Sequence, residues 1–231
     1  MAHHELLGGR DGDVGPFDPG VRCGGRSDGI APACPDGEPL ARIELWNGDI
    51  CDLEVDAIVN AANMSLWMST GVSGEIKRAG GDAIEFAAVR QAPVPLGEAI
   101  VTPAGRLAAR VVIHAVSLDR DRRTNGEIID RAVRSAMARA REFRLASVAF
   151  PAMGTGVGGF PLDEAARVTV RAVRDEMAQS PLIAHVTFAM RGAAAYQAFE
   201  AALAEEGGEA GASGETGGPG EGTKIDGVVH A

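Results

Sequence analysis

Residues 148–170 read "VAFPAMGTGVGGFPLDEAARVTV", in which a short apolar strand, a glycine-rich loop and a helix with acidic first residues follow one another. Four glycines stand between Gly154 and Gly159. Backbone N–H groups between a strand end and a helix N-terminus attract anions, because the positive end of the helix dipole lies there too. Glycine also lets a ligand approach closely, at an entropic cost. The loop therefore predicts a phosphate site, with a plain surface turn as the alternative.

The two ends of the chain differ in composition from its middle. Residues 1–40 are rich in Gly, Pro and Asp without apolar periodicity, and residues 206–231 are rich in Gly and Glu. Neither segment has enough apolar surface to offset the entropy lost on ordering, so both are predicted to be disordered. Residues 41–205 have the length of one ordinary domain with a continuous core.

The net charge of −10 argues against a nucleic-acid partner, which would require a basic surface. An acidic protein can still hold an anion through local N–H groups. The sequence has no apolar run of about 18 residues and no signal-peptide pattern, which predicts a cytoplasmic protein without a membrane partner. The sequence gives no indication of the oligomeric state.

Cysteine and histidine usage predicts neither disulfides nor a metal. Cys23, Cys34 and Cys51 form no CxxC pair. His3 and His4 lie in "HHEL", which lacks the second histidine of HExxH. We therefore expect no metal and no cofactor.

Hydrophobic periodicity predicts strands that alternate with helices. Strands are predicted at "ARIELW", the "AIV" of "VDAIVNAAN", "GEAIVTP", "RVVIHAV", "ASVAFP" and "AHVTFAM". Helices are predicted within "STGVSGEIKRAGG", "DAIEFAAVRQ", "EIIDRAVRSAMARAREF", "LDEAARVTVRAVRDEM" and "AAAYQAFEAAL". Helical spacing places these residues toward the core: Val72, Ile76, Ala79, Ile128, Ala132, Ala136 and Met137. Thr124 or Asn125 is the predicted cap of the third helix.

This alternation predicts an α/β fold with helices on both faces of a central sheet. The first strand and the early strand-to-strand connection indicate a mixed sheet. Ligands of such folds lie beyond the carboxyl ends of the strands. The loops after "AIVN" and "VAFP" and the end of "VTFAM" are expected to converge there.

Two familiar phosphate motifs fit the loop poorly. A Walker A loop needs Lys-Ser/Thr after its last glycine, whereas Phe160 and Pro161 follow Gly159. GxGxxG matches at Gly154, Gly156 and Gly159, but a dinucleotide fingerprint normally opens its domain and precedes an acidic strand end. The next strand here ends before Arg191, a residue able to meet a 2′-phosphate. An NADP-dependent oxidoreductase is therefore kept as a remote alternative.

Four motifs together resemble the macrodomain, the ADP-ribose-binding module: "NGDICDLEVDAIVNAAN", "TGVSGEIKRAGG", "GEAIVTPAGRLAARVVIHAV" and "SVAFPAMGTGVGGFPLDEAA". They stand in the family's order over residues 46–203. The resemblance implies a three-layer α/β/α domain with a mixed sheet and a cleft for ADP-ribose or an ADP-ribosylated protein.

The resemblance also implies roles for individual residues. Asp49 would accept the adenine amino group, with the Ile50 backbone beside it, because a carboxylate favours an exocyclic amine over a carbonyl. Asn63 would hold the hydroxyls of the distal ribose, since an amide offers a donor and an acceptor. One loop would approach the diphosphate with Thr70, Gly71, Val72 and Ser73. The other would wrap it with Gly154, Thr155, Gly156, Val157, Gly158, Gly159 and Phe160.

Several positions depart from commoner family forms. Ser73 stands where MacroD-type hydrolases carry an aspartate that helps activate water, and Lys77 where they often carry histidine; nearby Glu75 is expected to point elsewhere. Gly158 replaces an aromatic residue that packs on the distal ribose, and Phe160 either fills that space or anchors the core. Arg191 replaces the aromatic residue that stacks on adenine, and a guanidinium can also stack on a base.

Three further residues are expected to be structural. Asn60 is predicted to fix the local backbone, His114 to be a buried, hydrogen-bonded histidine, and Met153 to form part of the cleft wall.

The function expected from these features is hydrolysis of terminal ADP-ribose esters, on protein side chains, as the 1″-phosphate or as O-acetyl-ADP-ribose. Water would be held between the ligand's own phosphate and the distal ribose, with Asn63 as the catalytic residue that orients the sugar. A reader that binds ADP-ribose without turnover is the second hypothesis, because the aspartate and the ribose-packing aromatic are both missing.

Overall fold

The computed structural model describes residues 41–209, which contain six strands and five α-helices. The strands are β1 Arg42–Asn47, β2 Ala57–Asn63, β3 Ala99–Pro103, β4 Val111–Leu118, β5 Ser147–Phe150 and β6 His185–Met190. The α-helices are α1 Gly71–Gly80, α2 Asp82–Val89, α3 Gly126–Glu142, α4 Leu162–Ala178 and α5 Ala193–Glu209. A 3₁₀ turn covers Ile50–Asp52. The predicted tails, including Cys23, Cys34, His3 and His4, lie outside the described residues apart from 206–209.

The strands form one mixed sheet in the order β1-β6-β5-β2-β4-β3. All neighbouring strands are parallel except β3, which runs antiparallel to β4. The predicted mixed sheet is therefore confirmed, and its antiparallel member is the edge strand β3. The first strand, β1, pairs in parallel with β6 at the opposite edge.

Alternate residues of the strands pack into two separate apolar layers. Ala57 and Val59 of β2 join the larger core formed with α3, α4 and α5, whereas Ile58 packs with Ile76 of α1 and Ile84 of α2 on the other face. This separation follows from the period of two along a strand. The predicted three-layer α/β/α arrangement is confirmed.

Helix boundaries follow the expected local chemistry. The Asn125 side chain caps α3 by accepting from the Ile128 N–H at 2.9 Å, so Asn125 rather than Thr124 is the cap. Ile129 is buried in place of the predicted Ile128, because the buried stripe of α3 runs through Ile129, Val133, Ala136 and Ala140 at helical spacing. In α1, Ile76 is buried as predicted, but Ala79 is exposed and Ser73 is buried instead. The core-facing stripe of α1 is therefore rotated from the predicted one.

Within residues 41–209 no helix is both long and apolar enough to span a bilayer. The cytoplasmic location stays a prediction.

Candidate functional site

A cleft of about 350 Å³ lies beyond the carboxyl ends of β2, β5 and β6, at the predicted convergence of three loops. Sheets of this kind place ligands where the strand connections diverge, here between β2 and β5. The lining contains thirteen of the predicted ligand-binding residues: Asp49, Ile50, Asn63, Thr70, Gly71, Val72, Ser73, Gly154, Thr155, Gly156, Val157, Gly158 and Arg191. Their contacts with a ligand stay predictions.

The first wall of the cleft is the N-terminus of α1. Thr70 occupies the cap position in an extended conformation, but its side chain makes no capping hydrogen bond. Within the described residues, the N–H groups of Gly71, Val72 and Ser73 have no acceptor. The first N–H groups of a helix carry its positive dipole end, so this wall is suited to an anion.

A buried chain of hydrogen bonds supports the first wall from below. Ser73 Oγ donates to Asn60 Oδ1 at 2.7 Å, and Asn60 Nδ2 lies 3.1 Å from His114 Nδ1. His114 Nε2 lies 2.9 Å from Thr102 Oγ1. Because Asn60 Nδ2 can only donate, His114 Nδ1 accepts and Nε2 carries the proton. The buried, hydrogen-bonded role predicted for His114 is confirmed, whereas the Asn60 side chain contacts the side chains of Ser73 and His114 rather than the local backbone.

Burial keeps His114 neutral. Its side chain is 0% exposed, and desolvation lowers its pKa to about 3. The imidazole therefore serves as a hydrogen-bond link between β2 and β3.

The second wall is the loop between β5 and α4. Within the described residues, the N–H groups of Thr155, Gly156, Val157 and Gly158 have no acceptor. Gly154 has a φ of 75°, and a Cβ there would lie 2.8 Å from Ile129 Cδ1. A Cβ at Gly158 would lie 2.6 Å from the Gly154 oxygen, whereas one at Gly156 would meet nothing within 4 Å. Close packing explains the first two glycines, and Gly156 faces open space.

One end of the cleft carries paired charges. Arg191 Nη2 lies 2.6 Å from Asp49 Oδ2, and Arg191 Nη1 binds Glu75 Oε1. Asp49 Oδ1 accepts from the Cys51 N–H at 3.0 Å. Burial alone would raise the pKa of Asp49, but the hydrogen bonds from Cys51 and the charge of Arg191 outweigh it and lower the pKa. Asp49 is therefore an ionised acceptor at neutral pH.

The thiol of Cys51 lies beside this carboxylate. Burial and the negative charge of Asp49 raise the pKa of Cys51 to about 12. The neighbouring Ile50 N–H has no acceptor within residues 41–209, which leaves it available to a ligand.

Asn63 lines the opposite end of the cleft, where its amide is largely used by its own turn. Asn63 Oδ1 accepts from the Ser65 N–H at 3.0 Å and from Ser65 Oγ at 2.7 Å. Asn63 Nδ2 donates to the Trp67 oxygen at 3.2 Å. One N–H of the amide is left for a ligand, so the predicted donor-and-acceptor contact with a diol is reduced to a donor.

Comparison with known proteins agrees with this architecture. The family model that describes the Macro domain matches residues 59–169. A Salmonella gallinarum protein named O-acetyl-ADP-ribose deacetylase is 41% identical over 154 residues, which cover 64% of this chain and 86% of that protein.

The chain is a macrodomain.

Solved macrodomains have the same fold. The Trypanosoma brucei macrodomain in complex with ADP-ribose has a TM-score of 0.66 and 29% identity over 70% of this chain and 69% of that one. The Oceanobacillus iheyensis macrodomain with ADP has a TM-score of 0.66 and 26% identity over 72% of this chain and 92% of that one. An uncharacterised Mycobacterium tuberculosis protein is 44% identical over 168 residues, 73% of this chain but only 46% of that protein. The macrodomain thus spans about half of its mycobacterial relative.

Four sequence-based predictions about this macrodomain's cleft need correction. Gly159 and Phe160 do not line it; Phe160 packs against the larger core, so it is an anchor. Met153 is 0% exposed in that core and is not a cleft wall. Glu75 lines the cleft, because one turn of α1 brings it toward Arg191.

Lys77 is turned to α2. Its Nζ lies 2.6 Å from Glu85 Oε1 and 3.7 Å from Asp82 Oδ1. Glu85 also accepts from the Met68 N–H at 2.7 Å. Lys77 therefore helps to fix the segment before α1 through Glu85, and it does not line the cleft.

Sequence reasoning missed part of the lining of this macrodomain: Gly48, Ala61, Trp67, Ser69, Leu118, Arg122, Pro151, Ala152, Ala189 and Ala195. Trp67 had a usable signal, since an isolated aromatic residue between two predicted binding segments is unusual in a chain with 4% aromatic residues. Arg122 lies in the loop after β4, the neighbour of β2, and its sequence context gave no signal for the cleft. Among the described residues, no cluster of three metal-ligating side chains exists.

Proposed function

We propose that this macrodomain binds ADP-ribose in the cleft and hydrolyses terminal ADP-ribose esters. The observation that carries the proposal is the pair of facing walls with unpaired main-chain N–H groups, residues 71–73 on one side and 155–158 on the other. A diphosphate between them would be bound by amides rather than lysines. This arrangement suits a chain with a net charge of −10.

The charged end of the cleft suits adenine. Asp49 is ionised and accepts an exocyclic amine, while the free Ile50 N–H can donate to a ring nitrogen. The Arg191 guanidinium is fixed by Asp49 and Glu75, so its plane is held in position for stacking on a base. The same two contacts occupy Arg191 and disfavour a 2′-phosphate, and with it the NADP-dependent oxidoreductase.

The terminal ribose would then lie at the Asn63 end. A cavity of about 350 Å³ is within the range of small-ligand sites. The remaining N–H of Asn63 would donate to a ribose hydroxyl and orient the sugar.

At the Asn63 end, ester hydrolysis must depend on the positioning of water and ligand. The carboxylates that line the cleft, Asp49 and Glu75, are both paired with Arg191 at the other end. Water would therefore transfer a proton to the ligand's own phosphate as its oxygen attacks the acyl carbon. The bond from that carbon to the ribose oxygen breaks, and the ribose oxygen takes up a proton. The products are a carboxylic acid and ADP-ribose.

The named relatives support the ester substrate. The Salmonella gallinarum protein, which this chain covers over 86% of its length, is named O-acetyl-ADP-ribose deacetylase. The Trypanosoma brucei structure holds ADP-ribose.

A reader without turnover is the second candidate. It is favoured by Ser73, whose hydroxyl is used in the buried contact with Asn60, and by the lack of an unpaired carboxylate or imidazole in the described cleft lining. A reader would bind the same ligand in the same orientation.

Calorimetry with ADP-ribose, NADP and ATP tests binding, and release of acetate from O-acetyl-ADP-ribose and of label from a mono-ADP-ribosylated protein tests turnover. We expect selective binding of ADP-ribose and release in both assays. Binding without release would leave the reader, and lack of ADP-ribose binding would remove both functions.

A further inference from the structure

A second groove adjoins the cleft at its Asn63 end. The groove has a volume of about 470 Å³ and shares four residues with the cleft: Asn63, Trp67, Ser69 and Arg122. Its other lining residues are Met64, Ser65, Pro93, Asp119 and Arg120. The two spaces therefore adjoin where the terminal ribose would lie.

Trp67 presents a large apolar surface at the junction. Trp67 is 58% exposed, although Leu66 and Met68 on either side are each 1% exposed. The main chain here is fixed by hydrogen bonds from Asn63 to the Trp67 oxygen and from the Met68 N–H to Glu85. An indole held in solvent by a rigid segment is a typical feature of a contact surface.

Two arginines supply positive charge to the groove. Within residues 41–209, neither Arg120 nor Arg122 has an ion-pair partner. Asp119 also lines the groove, where its Oδ1 accepts from the N–H groups of Asp121 and Arg123 at 2.8 and 2.7 Å, so the charged lining residues, two arginines and one aspartate, have a net positive formal charge. Arg122 has a φ of 61°, a left-handed conformation that is uncommon outside glycine. The loop thus holds Arg122 at the boundary between cleft and groove.

We propose that this groove binds the polypeptide that flanks an ADP-ribosylated acidic side chain, and that it favours acidic flanking sequences. The inference rests on the proposed function, since ADP-ribose in the cleft would direct the group esterified to its terminal ribose toward Asn63 and Trp67. Acidic side chains complement Arg120 and Arg122, and the indole of Trp67 contacts the peptide's apolar atoms. The substrate class is therefore a protein-linked ester within an acidic segment.

The test uses two peptides that carry ADP-ribose on a glutamine, an amide that replaces the labile glutamate ester. One peptide has flanking glutamates, and the other has flanking lysines at the same positions. We expect the acidic peptide to bind more tightly than free ADP-ribose and about 5-fold or more tighter than the basic peptide at low salt, with the difference reduced by salt.

Arg120→Glu is the discriminating variant, because Arg120 lines the groove and not the cleft. Arg123→Glu is the matched control, since Arg123 is exposed on the same loop and lines neither space. We expect Arg120→Glu to reverse the order of the two peptides while free ADP-ribose binds with unchanged affinity. Arg123→Glu should keep the wild-type order. Unchanged affinity for free ADP-ribose also shows that each variant is folded.

Four results would overturn the inference. Equal affinities of wild-type protein for the two peptides would remove the acidic preference, and equal effects of the two variants would remove the groove as its origin. Tighter binding of an ADP-ribose oligomer through Arg120, without a preference between peptides, would assign the groove to a polyphosphate. If free ADP-ribose itself fails to bind, the proposed function fails and the inference fails with it.

Discussion

The two walls of the cleft offer the same groups to a ligand but are supported in different ways. The wall at α1 carries the free N–H groups of residues 71–73 and stands on the buried chain from Ser73 through Asn60 and His114 to Thr102. The wall at residues 154–158 depends on glycines and on short local bonds such as Thr155 Oγ1 to the Ala152 oxygen at 3.2 Å.

This difference separates binding from stability. Buried, mutually satisfied polar groups are costly to break, because each unpaired partner keeps its desolvation penalty. A loop that faces open space can change without disturbing the core. Substitutions in the first wall should therefore reduce the free energy of unfolding, and substitutions at the tip of the second should mainly reduce affinity.

The largest effect is expected for Gly156→Glu. Its side chain would enter open space, so the fold should persist, while its charge opposes the diphosphate and costs several kcal/mol, about 100-fold or more in affinity. Calorimetry with ADP-ribose measures this loss. Gly156→Gln has nearly the same size without the charge and should bind better than the glutamate variant. Near wild-type binding by Gly156→Glu would refute the placement of the diphosphate.

Substitutions in the support of the first wall should mainly reduce stability. Asn60→Ala leaves His114 Nδ1 unpaired and opens a small cavity, so the free energy of unfolding should fall by about 2–4 kcal/mol. Denaturant unfolding measures this change. Ser73→Ala removes a bond at the end of the chain and should cost about 1 kcal/mol. An Asn60→Ala protein as stable as the wild type would contradict the support that the buried chain gives to this wall.

Asp49 lies outside both walls, at the charged end of the cleft. Its substitution therefore tests how much that end adds to ADP-ribose binding. Asp49→Ala should weaken ADP-ribose binding by about 1–3 kcal/mol, the order for a lost charged hydrogen bond. Asp52→Ala is the matched control, because Asp52 is exposed on the same 3₁₀ turn and does not line the cleft. Equal affinities of these two variants would argue against adenine at this end.

The last expected effect is a pH dependence of stability that arises from His114, which supports the first wall. His114 has a pKa of about 3 in the folded protein and 6.5 as a free side chain. Between these two pH values the unfolded chain binds a proton at His114 and the folded protein does not. Stability from His114 is therefore complete above about 6.5 and falls with decreasing pH, by at most about 1.4 kcal/mol per pH unit.

Unfolding free energies at pH 7 and pH 5 test this dependence. His114→Gln should show a smaller fall than the wild type, whereas His185→Gln should retain most of it, because His185 is only partly buried. Equal falls in the two variants would exclude His114 as the source.

The sequence reveals the residues of both walls more readily than the buried hydrogen-bond chain that supports the first. Glycines at 154, 156, 158 and 159 mark a loop that main-chain atoms define, and strand–loop–helix order places it at the sheet edge. The family motifs were equally direct for Asp49 and the residues of the first loop. These signals are local in sequence, which is why fold and cleft were predicted together.

Contacts across long sequence separations could not be predicted in the same way. Glu75 reaches Arg191 across 116 positions, and Ser73 reaches Asn60 only because α1 crosses the end of β2. Phe160 was left between cleft and core and Met153 was placed in the cleft wall, because loop residues next to glycine can face either side. Both residues pack with α3 and α4 in the larger core, and these helices lie outside the loop sequence.

The protonated thiol beside Asp49 has a consequence for redox chemistry. Thiolates, rather than thiols, react with peroxide and with alkylating agents, and a pKa of about 12 leaves Cys51 almost entirely unreactive at neutral pH. The Asp49 end of the cleft should therefore keep its shape during oxidative stress, when a more acidic cysteine at this place would accumulate sulfenic acid.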